Sequence, residues 1–277
     1  MLPEQSSALH SPRPACAHPT LIVASGRRDI DGNGHATVVW LVLRGQVRVS
    51  AREGDFLLGA RDWIALDGDS MPRAVIGSGT LLLGAHLGRD IQTGLLPGRG
   101  HMDPGERNRA LRIWRAQDDG VLAFLEALQG ELTAGTDRCP GHSQRRRHQV
   151  LSRMQRARLC LEGQVGDGLL IADLAKRINF SPWYFSKVFH AVYGIRPQQF
   201  AARMRLERAS RLLATTTLPV TEVSAACGFD NPCSFARAFR ARHGMSASTY
   251  RHNAKITAAM AARTDSAKTP GLDRKAA

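Results

Sequence analysis

No apolar stretch in these 277 residues approaches the roughly 18 needed for a membrane-spanning helix, so no transmembrane segment is expected. The first residues, Met-Leu-Pro-Glu-Gln-Ser-Ser, lack the basic start and apolar block of a secretion signal. The cysteines, Cys16, Cys139, Cys160, Cys227 and Cys233, are odd in number and form no Cys-x-x-Cys pair. They read as free thiols in a reducing cytoplasm. Carboxylates are scarce where cations are dense. Residues 142–277 hold 23 Lys+Arg against 8 Asp+Glu, a net of +15, while residues 1–141 hold 15 against 16, a net of −1. That asymmetry points to a polyanion as the partner of the second half, nucleic acid before membrane, with plain solubility as the alternative.

The length suits two domains. Residues 1–19 have no hydrophobic period and are expected to be disordered. From Thr20 to Leu87 short apolar runs alternate with glycines and acidic turns, and strands are expected at 20–24, 37–43, 46–51, 55–58, 63–66, 74–76 and 80–86. Arg44-Gly45 reads as a two-residue hairpin turn. Many short strands favour an antiparallel sandwich or barrel. With its turns at Gly45, Gly54-Asp55 and Asp67-Gly68-Asp69, this half resembles the small β-barrel of the cupin type. A metal-binding cupin would present a His-x-His pair, a Glu and a later His. Here Thr37, Val38 and Val39 follow His35, and His86 stands alone, so neither a metal nor another cofactor is expected. An apolar barrel can still enclose a small molecule, an effector the sequence does not name.

Residues 88–104 form a crossing rich in glycine and proline. Two appended helices are expected at 106–115 and 120–132. In the second, Leu122, Leu125, Leu128 and Leu132 form an apolar stripe that packs on its own domain or pairs with a second subunit. The expected layout is a sensor or dimerisation domain at 20–134, a linker at 135–147, an all-α domain at 148–254 and a loose tail at 255–277.

The all-α half says the same thing twice. Leu174, Ile178 and Phe180 recur 49 positions on as Val223, Cys227 and Phe229; Phe185, Phe189 and Gly194 recur 50 positions on as Phe235, Phe239 and Gly244. Each copy predicts a helix, a tight turn and a second helix. Asn179 and Gly228 suit a left-handed turn residue, Ser181 and Asn231 suit a helix cap, and Pro182 and Pro232 suit the first helical position. In the second helix of each unit Phe185, Val188, Phe189 and Val192, or Phe235, Ala238 and Phe239, face inward. The opposite stripes carry Trp183, Ser186, Lys187 and His190 in one copy, and Cys233, Ser234, Arg237 and Arg240 in the other. These are side chains that read a major groove: Arg237 can donate twice to guanine, serines bond either way, and Trp183 can cover a thymine methyl. Between the copies a helix-forming segment carries Arg203, Arg205, Arg208 and Arg211, candidates for phosphate contact. A plain helical bundle with solvated basic faces is the bland alternative. The duplication and the +15 charge weigh against it.

The segments Leu170-Ile-Ala-Asp-Leu-Ala, Phe180-Ser-Pro-Trp-Tyr-Phe-Ser-Lys-Val-Phe, Arg205-Leu-Glu-Arg-Ala and Cys227-Gly-Phe-Asp-Asn-Pro-Cys-Ser-Phe-Ala-Arg-Ala-Phe-Arg resemble the DNA-binding domain of AraC-family bacterial transcription regulators. The resemblance covers roughly residues 150–252. It implies base-facing positions for Trp183, Ser186 and Lys187, and for Cys233, Ser234 and Arg237. Ala247, where the family usually has proline, is expected to loosen the end of the last helix, and Ser224 stands where alanine is usual. The resemblance further implies a cytoplasmic activator of transcription. Its partners would be promoter DNA, RNA polymerase, a second copy held through the N-terminal half, and a small-molecule effector. Two alternatives stay open: a cupin-type enzyme with an appended DNA-binding domain, and a regulator that needs no effector.

Overall fold

The run Val38-Val-Trp-Leu-Val-Leu43 does not alternate because both faces of its strand are covered. The computed structural model describes residues 19–89, 93–117, 120–165 and 169–267, and divides into two compact units that meet in sequence at Gly163 and Gln164. The disorder expected for the first residues concerns a stretch that, except for Pro19, lies outside the described residues.

The first unit opens with strands β1 (Thr20–Ser25), β2 (Arg28–Asp31), β3 (Thr37–Arg44), β4 (Val47–Ala51) and β5 (Gly54–Leu58). β6 (Asp62–Asp67), β7 (Arg73–Ile76), β8 (Leu81–Leu87) and β9 (Gly98–His101) complete two antiparallel sheets, ordered β1-β8-β3-β6-β9 and β2-β7-β4-β5. Val38, Trp40, Val42, Ile64, Leu66 and Leu82 of the larger sheet meet Val47, Val49, Phe56, Leu58, Ala74 and Ile76 of the smaller one. The other face of the larger sheet, with Val39, Leu41, Leu43, Trp63, Leu83, Ala85 and Leu87, is covered by helices α1 (Pro104–Ala116) and α2 (Val121–Leu128). A capping box of Asp103 and Glu106 starts α1. Trp114 donates from its indole to the Gly84 carbonyl at 3.1 Å and packs edge-on against Phe124. Leu125 and Leu128 are buried in this layer, with Leu122 and Leu132 packed against it, so the leucine stripe is used within its own unit.

The expected β-rich half is present, with three differences. Arg44-Gly45 is not a hairpin: β3 pairs with β6 and β8, β4 pairs with β5 and β7, and the chain passes between sheets at this point. Gly45 has φ +79°, and a Cβ there would stand 2.5 Å from the Thr80 hydroxyl, which itself bonds the Gln46 backbone. The signal of a turn was right, but long-range packing decided where the chain went. β2 and β9 were not expected. β2 turns only Ile30 fully inward, and β9 is Gly-Arg-Gly-His, without a β-branched residue.

The expected linker is structured. After α3 (Gly130–Thr133) and a 3-10 turn at Thr136–Arg138, Cys139 is buried and α4 (Gln144–Gly163) begins. α4, expected to open the DNA-binding half, groups with the first unit. Leu159 joins the core between the sheets, Arg156 pairs with Asp67, and Glu162 pairs with Arg99.

The second unit contains α5 (Ile171–Arg177), α6 (Pro182–Tyr193), α7 (Pro197–Thr215), α8 (Val220–Ala226), α9 (Pro232–His243) and α10 (Ala247–Ala267). The expected loose tail begins inside α10, which the alanine-rich sequence carries on to Ala267; residues 268–277 lie outside the described residues. Ala247 does not loosen this helix. It is buried in the core of the second repeat, and the Ser246 hydroxyl accepts from Thr249 N, capping α10.

Candidate nucleic-acid interface

Each repeat folds by the local signals its sequence carries. Ser181 Oγ accepts from Tyr184 N at 3.3 Å and Asn231 Oδ1 from Cys233 N at 2.7 Å, so α6 and α9 both start on a side-chain cap followed by proline. Asn179 and Gly228 hold φ of 56° and 72° in the two turns. Gly194 and Gly244 end the helices in the same left-handed conformation, donating to His190 O and Arg240 O. In the first repeat Leu174, Ala175, Phe185, Val188, Phe189 and Val192 are buried, and Phe189 stacks edge-on against Phe185 and Phe200. In the second, Leu206, Ala209 and Leu213 of α7 pack with Val223, Cys227, Phe235 and Phe239. Burial pushes the Cys227 thiol pKa up, opposed by nearby Arg208 and Arg211. It acts as a small apolar core residue.

The outer stripes stay accessible. Trp183 is 71% exposed; Lys187 and His190 are exposed and Ser186 is half-buried. Cys233, Ser234, Arg237 and Arg240 are all exposed along α9. The Lys187 ammonium lies 5.1 Å from the Trp183 ring centroid, a cation–π contact that holds one charge beside the indole. Trp183, Ser186, Lys187 and His190 line one cleft of about 550 Å3 together with Arg196, Gln198 and Gln199. These last three, from the N-terminus of α7, were not singled out from the sequence. The reversal at Gly194 and the helix start at Pro197 were the available signals, since they turn the next helix back beside α6.

The arginines of α7 fare unequally. Arg203 pairs with Glu207 at 2.9 Å, and Glu207 is also 3.5 Å from Arg242. Arg205 is half-buried and reaches the Gly228 carbonyl at 3.5 Å. Both therefore have structural partners in the free protein. Arg208 is half-buried and Arg211 exposed.

The first unit offers a contrast. His86, read as standing alone, packs against His35 with ring centroids 4.6 Å apart, a pairing hidden by sequence distance. Among the described residues no group of three or more His, Cys, Asp or Glu is placed to hold a metal ion. Among them, too, no helix is long and apolar enough to cross a membrane.

Two helix-turn-helix units joined through α7, each with a polar outer stripe, define a DNA-binding domain of the double helix-turn-helix class. A family model described as a helix-turn-helix domain matches residues 174–253. The transcriptional activator AarP of Providencia stuartii is 32% identical over 91 residues, covering 33% of this chain and 67% of AarP. The probable transcriptional regulator LumQ of Photobacterium leiognathi is 32% identical over 90 residues, covering 32% of this chain but 36% of LumQ. Among solved structures, the C-terminal domain of AraT, a response regulator from Geobacillus stearothermophilus, is 29% identical with a TM-score of 0.35, covering 36% of this chain and 84% of that one. The chain belongs to the AraC family of helix-turn-helix transcription regulators.

Proposed function

We propose that this regulator is a cytoplasmic activator that places α6 and α9 in successive major-groove segments on one side of promoter DNA. The observation that carries the reading is the pair of exposed stripes, Trp183 to His190 and Cys233 to Arg240, on two reading helices built by the same caps and turns. With 19 residues, α7 is about 28 Å long, close to the roughly 34 Å between groove entries one turn apart. The stripes differ: α6 offers an indole, a hydroxyl, an ammonium and an imidazole, α9 a thiol, a hydroxyl and two guanidinium groups. One chain then reads two unlike half-elements in fixed order, and its site is non-palindromic. RNA polymerase is the second partner on this reading. The first unit senses a small molecule or joins two copies.

Footprinting of genomic fragments by the purified chain tests this. Two unlike protected elements about one helical turn apart are expected. Uniform binding to unrelated sequences would remove the reading.

A further inference from the structure

Trp40, Phe56, Leu58, Ile64, Leu66 and Ile76 fill the space between the two sheets and are fully buried. A ligand of the first unit is therefore better placed elsewhere. On the helical side of that unit a cleft of about 520 Å3 opens between α2 and the first turns of α4, a size within the range of small-molecule sites. Gln129 fixes one wall. It is 2% exposed, accepts from Leu96 N at 2.7 Å and donates to Leu96 O at 2.9 Å.

Arg147 lines the cleft from α4. Its Nη1 reaches Asp137 at 3.3 Å, while its Nε is buried without a hydrogen-bond partner. A third of the Arg147 side chain stays exposed, so guanidinium N–H groups that Asp137 does not engage can donate to an acceptor on a ligand. His148 stands beside it, and Glu126 and Asp137 bring two carboxylates to the same cleft. These charges select the ligand. A simple carboxylate or phosphate would suit Arg147 but meet repulsion from Glu126 and Asp137. A simple amine would suit the carboxylates but meet repulsion from Arg147 and offer it no acceptor. A molecule with both groups satisfies both sides.

We propose that this cleft binds a small zwitterion, an α-amino acid, with Arg147 taking its carboxylate and Glu126 its ammonium. The inference rests on the sensing half of the reading above and names its site and ligand class. α4 connects the cleft in sequence to the DNA-binding unit, since the first unit ends at its last residue, Gly163.

The test is calorimetric titration of the full chain, without DNA, with each of the twenty proteinogenic α-amino acids, and with acetate, succinate and putrescine. Saturable binding of at least one amino acid is expected, with none for the three controls. Arg147→Gln should abolish it. Glu126→Gln, an exposed substitution that leaves the fold intact, should weaken it at least about tenfold, the worth of one charged hydrogen bond. No amino acid binding, equal binding of the simple carboxylates, or binding indifferent to Glu126→Gln would each overturn the proposal. Because DNA is absent, failure here leaves the DNA-binding reading untouched, and failure of the footprint leaves this one.

Discussion

Trp40 donates its indole N–H to His86 Nε2 at 3.0 Å inside the first unit, so His86 is held neutral with its proton on the other ring nitrogen. Burial, then the neighbouring His35, pushes the His86 pKa down to about 4, with Asp31 opposing. The folded pKa thus lies below the unfolded value of 6.5, and the stabilisation is complete above pH 6.5. It is lost as the pH falls from 6.5 through about 4, because the unfolded chain takes up the proton first. The full difference is about 3 kcal/mol. Chemical denaturation of the wild type at pH 7.5 and pH 4.5 should show this loss. His86→Gln, which keeps an acceptor for Trp40 but cannot titrate, should show a smaller one. A pH slope identical in the two proteins would refute the assignment.

Arg237 is exposed on α9 and can donate twice to one guanine. Arg237→Ala should cost about 1–3 kcal/mol at the preferred site and much less at unrelated DNA, relaxing preference at one position. Competition binding against single-base variants of the operator is the measurement, and unchanged selectivity would remove Arg237 from the reading set.

Arg196 should behave differently. It lines the cleft beside α6 from the loop that enters α7, where a groove wall would pass if α6 lay in the groove. Arg196→Ala should weaken binding to all sequences alike and lower the slope of log affinity against log salt by about one. Arg205, which the sequence alone placed in this role, already reaches the Gly228 carbonyl. Its replacement should lower stability of the second repeat more than it changes the salt slope.

Legibility from sequence followed the range of the interactions involved. In the repeats, the caps Ser181 and Asn231, the turn residues Asn179 and Gly228 and the stops Gly194 and Gly244 act over a few residues, so spacing alone located both reading helices. In the first unit the strands of strong apolar pattern were legible too. What was hidden depends on distant partners: the crossing at Gly45 is set by Thr80, the His35–His86 contact joins the bend before β3 to β8, and β9 forms because β6 offers it an edge. The cleft residues Arg196, Gln198 and Gln199 were missed for a related reason. They gain their place from a chain reversal, not from a periodic stripe.

Ser224 supplies the last prediction. It is 1% exposed on α8, and its hydroxyl is buried without a hydrogen-bond partner. Its backbone carbonyl accepts from Cys227 N and Phe229 N, so the side chain alone is unpaired. A hydroxyl left so is costly, and alanine removes that cost while giving up only one small polar atom and raising helix propensity. Ser224→Ala should therefore stabilise the protein by about 1 kcal/mol, a rise of about 2–4 °C in the melting temperature. Differential scanning calorimetry reads it directly. A fall in melting temperature would mean that the hydroxyl contributes packing or a bond that outweighs its desolvation.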